Sequence, residues 1–160
     1  MNLEILNKTV VGWMRELPNP MSGSTTDIWC YVDYPRNDVN TPRISVSQSS
    51  GREMQAAIGD NYSNTLGVFE ETNYDLDIWV KQSNSSPILS KAGTQLRDYI
   101  GDLVIQKIKN KRSSSIRSVD PTQDIIDIEI MGVVTQPFID EFEFHRKTIT
   151  IRITHVLTHT

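Results

Sequence analysis

Residues 73–112 read NYDLDIWVKQSNSSPILSKAGTQLRDYIGDLVIQKIKNKR, and this stretch decides the fold. Its opening segment alternates polar and apolar side chains, which is the period of a β-strand with one buried face. After the polar run QSNSS, apolar residues recur at three- and four-residue spacing, as on one face of an amphipathic helix. A Ser or Asn near Pro87 would cap this helix. The stretch therefore predicts a strand, a turn and a long helix that packs on the strand's aliphatic face.

Shorter patterns on both sides of this stretch supply partners for it. Residues 2–17 have the apolar spacing of an amphipathic helix that ends at Pro18. Residues 27–33, 42–47, 66–69, 124–134 and 146–156 carry the β-branched and aromatic side chains that are typical of strands. The order predicts a single α+β domain over residues 1–160. We expect a mixed or antiparallel sheet of about 4–6 strands, with the N-terminal helix and the long central helix on one face.

Two polar connections interrupt this pattern, near residues 48–65 and 112–123. Compact domains seldom contain polar connections of this length unless the segment is disordered or functional. We interpret both as extended arms or loops that become ordered by contact with other chains.

The composition limits the class of protein. The chain has 160 residues, a hydrophobic content of 38% and a net charge of -4. These values are ordinary for a folded domain, and the acidic balance disfavours a nucleic-acid-binding protein. No apolar run is long enough to span a bilayer, and the mixed N-terminus MNLEILNKTVVGWMREL is not typical of a signal peptide. The single cysteine, Cys30, rules out an internal disulfide, and we expect it to be a small buried hydrophobic residue.

A search for reactive groups predicts no catalytic residue, no cofactor and no metal site. The sequence has no phosphate-binding loop, and its histidines follow no metal-ligand spacing, so we expect His155 to be solvated. Two carboxylate pairs share a strand face, Asp75 with Asp77 and Asp127 with Glu129. Alternation of acidic and aliphatic residues is typical of a solvated sheet face, and we interpret these pairs in that way.

Two glycines and three aromatic residues need an explanation. Gly93 and Gly101 fall in the predicted long helix, where glycine is unfavourable unless another backbone, from the sheet below or from a second copy, approaches closely.

Trp29, Tyr31 and Trp79 could share the sheet face away from the aliphatic rows and stack on the bases of a single-stranded nucleic acid. The RNA-recognition motif is absent, which weakens that alternative.

The segments YDLDIWVK, KAGTQLRDYIGDLVIQKI, DIIDIEIMGVV and RKTITIRITHV together resemble the tail terminator or tail completion proteins of tailed bacteriophages. The resemblance implies a non-enzymatic homo-oligomer, usually a ring of six copies, in the neck region of the virion after assembly in the host cytoplasm. Such a ring caps the tail tube, ends its polymerisation and meets the neck, connector or head-completion protein. DNA would pass through its lumen without specific binding, and no membrane would be involved.

The subunit or partner interface of such a ring would use the polar arms, the aromatic loop between the last two strands and the outer sheet face. The residues expected there are Arg52, Met54, Arg112, Arg117, Phe138, Phe142 and Arg152. Alternatives stay open: another neck or tail component, such as a head-completion or tube protein, and, from a different class, a single-stranded nucleic-acid-binding sheet domain. A small metabolic enzyme is the least favoured of these alternatives.

Overall fold

The computed structural model describes residues 3–32, 41–54, 67–113 and 125–158, which form an α+β fold. The helices are α1 (Leu3–Arg15) and α2 (Gly93–Ser113). The strands are β1 (Cys30–Tyr31), β2 (Arg43–Met54), β3 (Gly67–Lys81), β4 (Ser85–Ser86), β5 (Lys91–Ala92), β6 (Ile125–Thr135) and β7 (Phe144–Thr158). The predicted fold class is confirmed.

Five of the strands form one mixed sheet in the order β1-β2-β3-β7-β6. β1 is parallel to β2, and every other neighbouring pair is antiparallel. β3 lies at the centre and pairs with β2 on one side and with β7 on the other. β4 and β5 form a separate two-stranded hairpin just before α2.

Alternation along β3 separates the two faces of the sheet. Leu76, Ile78 and Val80 are buried and belong to the hydrophobic core. The core also contains the apolar stripe of α2, which is Leu96, Ile100, Val104 and Ile108. We call this side the helix-covered face, and the side of Asp75, Asp77 and Trp79 the helix-free face.

Gly101 lets α2 approach the sheet closely. A Cβ built at this position would lie 3.0 Å from Lys147 Cδ and 3.7 Å from Ile78 Cδ1. Both neighbours belong to the sheet of the same chain. The close approach predicted at this glycine is therefore an approach to the sheet and not to a second copy. Gly93 is different, since it begins the helix with a positive φ of 52° that favours glycine.

The helix α1 docks on its own domain, as the sequence predicts. Leu6, Val10 and Met14 are buried in the same core as β2 and β3. The Tyr74 hydroxyl on β3 bonds to Asn7, and Lys107 of α2 bonds to Glu16 at 3.1 Å, just after α1. Both helices therefore cover the same face.

The start of the central helix was predicted too early. Instead of a helix near Pro87, the chain forms the β4–β5 hairpin, with Ser90 at a positive φ of 53°. The Ser86 hydroxyl accepts a bond from the Leu89 backbone N–H at 3.1 Å, which satisfies that turn without a helix. Leu89 consequently packs against the core from outside α2.

Strand boundaries also differ from the predicted ones. The segment 27–33 contributes only the two residues of β1, and Ile28 and Val32 are exposed instead of sharing a buried row with Cys30. β2 continues to Met54, so residues 48–54 of the expected first arm are a strand paired with β3. The rest of that arm, and most of the arm at 112–123, lie outside the described residues.

We expect Gly101→Val to destabilise the protein by about 1–3 kcal/mol, because the added carbons must displace Lys147 and Ile78 in a packed layer. The matched control is Gly12→Val in α1, where an added Cβ meets nothing within 4 Å. That change should alter the free energy of unfolding by only a few tenths of a kcal/mol, about the difference in helix propensity. Urea unfolding followed by circular dichroism measures both values, and equal effects would contradict the close approach.

Candidate interaction surface on the sheet

A hydrogen-bonded network occupies the middle of the helix-free face. Gln136 donates to the Thr148 hydroxyl at 3.2 Å, and Thr148 donates to Asp77 Oδ1 at 2.5 Å. Arg146 Nε donates to the same carboxylate oxygen at 3.0 Å. β3 supplies the carboxylate and β7 supplies Arg146 and Thr148, because Asp77 pairs in register with Thr148 and Trp79 with Arg146.

Asp77 is fully buried, with a side-chain exposure of 0%. The prediction of a solvated carboxylate is therefore wrong for this residue. The physical reason is that the Arg146 and Thr148 side chains hold the carboxylate through charge-assisted hydrogen bonds, which a buried acid requires. Asp75 matches the expectation better, since it is half-buried and accepts one bond from the Thr150 hydroxyl at 2.8 Å.

The same face carries aromatic residues, but its central aromatic ring is covered. Trp79 is 7% exposed, with the Arg146 guanidinium 4.8 Å from its centroid and Phe144 against it at 5.7 Å. Trp29 is buried, and its indole N–H donates to the Leu17 carbonyl at 3.0 Å. Tyr31 is exposed, with Arg43 stacked at 4.3 Å. The three rings do not form an open platform on which bases could stack.

The exposed apolar side chains instead collect at one edge of the sheet, on β6. Ile126, Met131, Val133 and Val134 are between 44% and 54% exposed. β6 pairs with β7 alone in the described part of the chain, so its other side has no partner strand among the described residues. Large apolar groups beside unpaired backbone N–H and C=O groups are a surface to which another strand can add.

A second apolar group lies at the opposite edge, around β1. Ile28, Tyr31 and Val32 are exposed there, between 37% and 55%. β1 pairs with β2 at two positions only, Cys30 with Ile44 and Tyr31 with Ser45. Beyond Ser45, the outer side of β2 has no described partner strand.

The two edges are aligned across the sheet. One register row runs Tyr31–Ser45–Asp77–Thr148–Val134, from the first strand to the last. Tyr31 and Val134 are exposed at the two ends of this row, and the buried Asp77–Thr148 bond lies in its middle. The network therefore links β3 and β7 in the middle of the row that connects the two apolar edges.

The structure separates the interface residues expected from the sequence. Arg112 is bonded within its own chain to Asp127 at 3.1 Å, and Arg152 lies 3.8 Å from Glu71, so both have internal partners. Phe138 and Phe142 lie in the loop between β6 and β7. Arg52 and Met54 are in register with Glu71 and Phe69, and their side chains lie outside the described set, as does Arg117.

The aromatic loop extends the apolar edge of β6. Phe138 is exposed and packs on the His145 ring at 4.6 Å. Burial and the nearby Arg97 guanidinium lower the pKa of His145, which favours the neutral ring in this contact. Of the expected residues, Phe138 adds exposed apolar surface next to β6, and the exposed Arg112 is bonded to Asp127 of β6.

The apolar residues of β6 were missed from the sequence, although a signal was present. The segment contains adjacent apolar pairs, Ile125–Ile126 and Val133–Val134. Because neighbouring side chains of a strand point to opposite faces, one member of each pair has to leave the buried row. Ile125 is buried and Ile126, at a shift of the register, is exposed, whereas both Val133 and Val134 are exposed at this edge.

Groups that could carry chemistry are engaged in the core or scattered. Burial raises the pKa of the Cys30 thiol to about 12, so the reactive thiolate is scarce at neutral pH. His155 is buried and bonds through Nε2 to the Thr72 hydroxyl at 3.0 Å, which corrects the expectation of a solvated ring. Within residues 3–32, 41–54, 67–113 and 125–158, no three His, Cys, Asp or Glu side chains group as metal ligands would.

Comparisons with known proteins assign the chain to no family. No family model matches the chain, and no curated protein matches it significantly. In the described ranges, neither helix combines the length and apolar character needed to cross a membrane.

Removal of the central carboxylate should destabilise the fold. We expect Asp77→Ala to lower the free energy of unfolding by about 2–4 kcal/mol, because Arg146 and Thr148 lose a partner in a buried site. Asp75→Ala is the matched control, since this half-buried carboxylate holds a single hydroxyl, and it should cost about 1 kcal/mol or less. Denaturant unfolding of both variants gives the comparison, and a smaller loss for Asp77→Ala than for the control would refute the role of the network.

Proposed function

We propose that the protein is a structural, non-enzymatic component of a tailed-phage virion that forms a ring at the head–tail junction. The ring caps the tail tube, ends its polymerisation and joins the tube to the neck, connector or head-completion protein. The segments that resemble the tail terminator family support this proposal. They correspond in the fold to the central strand β3, the helix α2 and the late strands β6 and β7.

The observation that carries the proposal is the placement of exposed apolar side chains at two opposite edges of one sheet. Val134 ends a register row that begins at Tyr31, so the two patches are different surfaces of the same chain. An interface between unlike patches is heterologous, and it closes into a ring when the rotation between copies returns to the start. Each edge carries several exposed large apolar residues, whereas single scattered ones would need no partner.

The polar character of the helix-free face fits this role. Two of its cations are matched by carboxylates of the same face: Arg146 by Asp77 at 3.0 Å and Arg152 by Glu71 at 3.8 Å. The whole chain carries a net charge of -4. Nonspecific DNA binding depends on Lys and Arg that neutralise phosphates. An acidic ring would therefore let DNA pass through its lumen without binding it nonspecifically.

The alternative of a single-stranded nucleic-acid binder gains no support from the described face. Stacking requires open aromatic rings, and Trp79 is covered by Arg146 and Phe144 while Trp29 is buried. A head-completion or tube protein would share the ring and differ in the structure that the ring joins. These two readings are separated by experiment.

The test uses the purified full chain at increasing concentration, with mass measured by light scattering and shape by negative-stain microscopy. We expect closed rings, with six copies as the expected number. When mixed with the tail tube protein of the same phage, they should sit on tube ends and stop elongation. Polymerisation of the chain itself into long tubes would identify a tube protein, and binding only to the head connector would identify a head-completion protein. A persistent monomer that binds oligonucleotides tightly at physiological salt would overturn the proposal.

A further inference from the structure

We propose that neighbouring copies join by continuation of the sheet: β6 of one copy adds as an antiparallel strand to the free edge of β2 in the next copy. The inference rests on the proposed ring and names the surface that forms it. The occupant of each edge is a second copy of this chain.

Both edges have backbone groups without a partner strand among the described residues. β1 covers only Ile44 and Ser45, so the outer side of β2 has no described partner from Val46 to Met54. β6 has 11 residues, and β7 is its single described neighbour. Each edge strand presents alternate N–H and C=O groups outward, which is the requirement for strand addition.

β6 lacks the Lys and Pro residues that often protect an edge strand from pairing, although its ladder with β7 has two register shifts, between Ile125 and Asp127 and between Ile130 and Gly132. Its sequence, IIDIEIMGVVT, contains no Lys, Arg or Pro. Monomeric proteins commonly use Lys, Pro or short edge strands to prevent pairing between sheets. A long edge strand with four exposed apolar side chains is therefore suited to a partner strand.

The strand directions suit an assembly in which all copies have the same orientation. β2 is antiparallel to β3, β3 to β7, and β7 to β6. β6 consequently runs opposite to β2. When one copy is placed beside another in the same orientation, β6 and β2 meet as an antiparallel pair, the more common arrangement in sheets.

The two free stretches also lie at the same height along the strands. The row of Val46 passes through Leu76 and Ile149 and ends at Val133. The row of Glu53 passes through Glu70 and His155 and ends at Ile125. Thus 46–53 of β2 and 125–133 of β6 span the same rows, and a lateral shift brings them side by side without a large displacement along the strand.

Side chains at the end of this seam are complementary. Val134 lies on the helix-free face in the row of Thr148, and Tyr31 lies in the same row at the other edge. Placing β6 beside the neighbouring copy would bring Val134 toward Tyr31. Both are apolar surfaces that lose water on contact, which favours association at about 25 cal/mol per Å² of apolar area buried.

One arm of the test changes the charge at the edge. We expect Val134→Lys to raise the concentration at which half of the rings form by at least about tenfold, because a charge would be desolvated at the seam. Ile5→Lys in α1 is the matched control, an exposed apolar residue that lies on a helix and on neither edge strand, and it should leave assembly unchanged. Circular dichroism and the thermal midpoint show that both variants remain folded, since both side chains are already exposed.

A second arm places cysteines on the two edges. Ser47 and Gly132 belong to one row, and a Cβ at Gly132 meets nothing within 4 Å. We expect the double variant Ser47→Cys with Gly132→Cys to give disulfide-linked ladders of copies under mild oxidation. Ser47→Cys with Val134→Cys covers a shift of two residues. The native Cys30 is fully buried and gives no background, and Ser47→Cys with Ile5→Cys is the control pair that should not form ladders.

The outcomes separate this inference from the proposed function. If Val134→Lys forms rings at the same concentration as the unmodified chain, and neither cysteine pair gives disulfide-linked ladders, edge pairing is overturned. The ring proposal would then still stand. Loss of binding to tail tubes by Val134→Lys with unchanged rings would assign the edge to a foreign strand and also overturn it. A monomeric protein would overturn the ring; ladders from the cysteine pairs at high concentration would then still support edge pairing, and their absence would refute it.

Discussion

The register of β3 is the constraint on which the rest of the structure depends. This strand has 15 residues and is paired on both sides, with β2 and with β7. A shift of one residue would turn Leu76 and Ile78 out of the core and Asp77 into it. The alternation of polar and apolar side chains along β3 therefore determines on which face the helices pack. Through the register with the neighbouring strands, it also determines which face each edge side chain occupies.

Much of the fold follows from periodicity because burial on one face has a signature in the sequence. Leu76, Ile78 and Val80 belong to the predicted aliphatic row, and Leu96 and Ile100 belong to the predicted helical stripe. The start of α2 could not be predicted in the same way. Ser and Asn residues before Pro87 suit a helix cap and a tight turn equally, and the β4–β5 pairing with Ala92 and Lys91 decides between them.

The second half of β2 shows a different limit. The segment QSSGREM has no apolar alternation, so its pattern indicates a loop. It is a strand because β3 offers backbone partners up to Phe69, with one register shift between Gln48 and Ser50. Strand formation of this kind comes from pairing rather than from the propensity of the residues themselves.

The candidate surface was only partly predictable, for reasons of distance along the chain. Alternation cannot distinguish an acid in water from an acid covered by other strands. Asp77 and Arg146 are 69 positions apart, and only the register of β3 with β7 brings them together. The loop residue Phe138 was identified from its aromatic character, whereas Val134 required knowledge that β6 is the last strand of the sheet.

The contrast between face and edges explains why we place the function at the edges. On the helix-free face, Arg146 is held by Asp77 and Arg152 lies near Glu71, so a partner binding there would displace internal pairs and leave charges desolvated. At the edges, exposed Val133 and Val134 border backbone groups without a described partner strand. Adding a strand there satisfies those groups and removes apolar area from water without breaking an existing contact. In the proposed ring, this face would separate the two edges at which neighbouring copies meet.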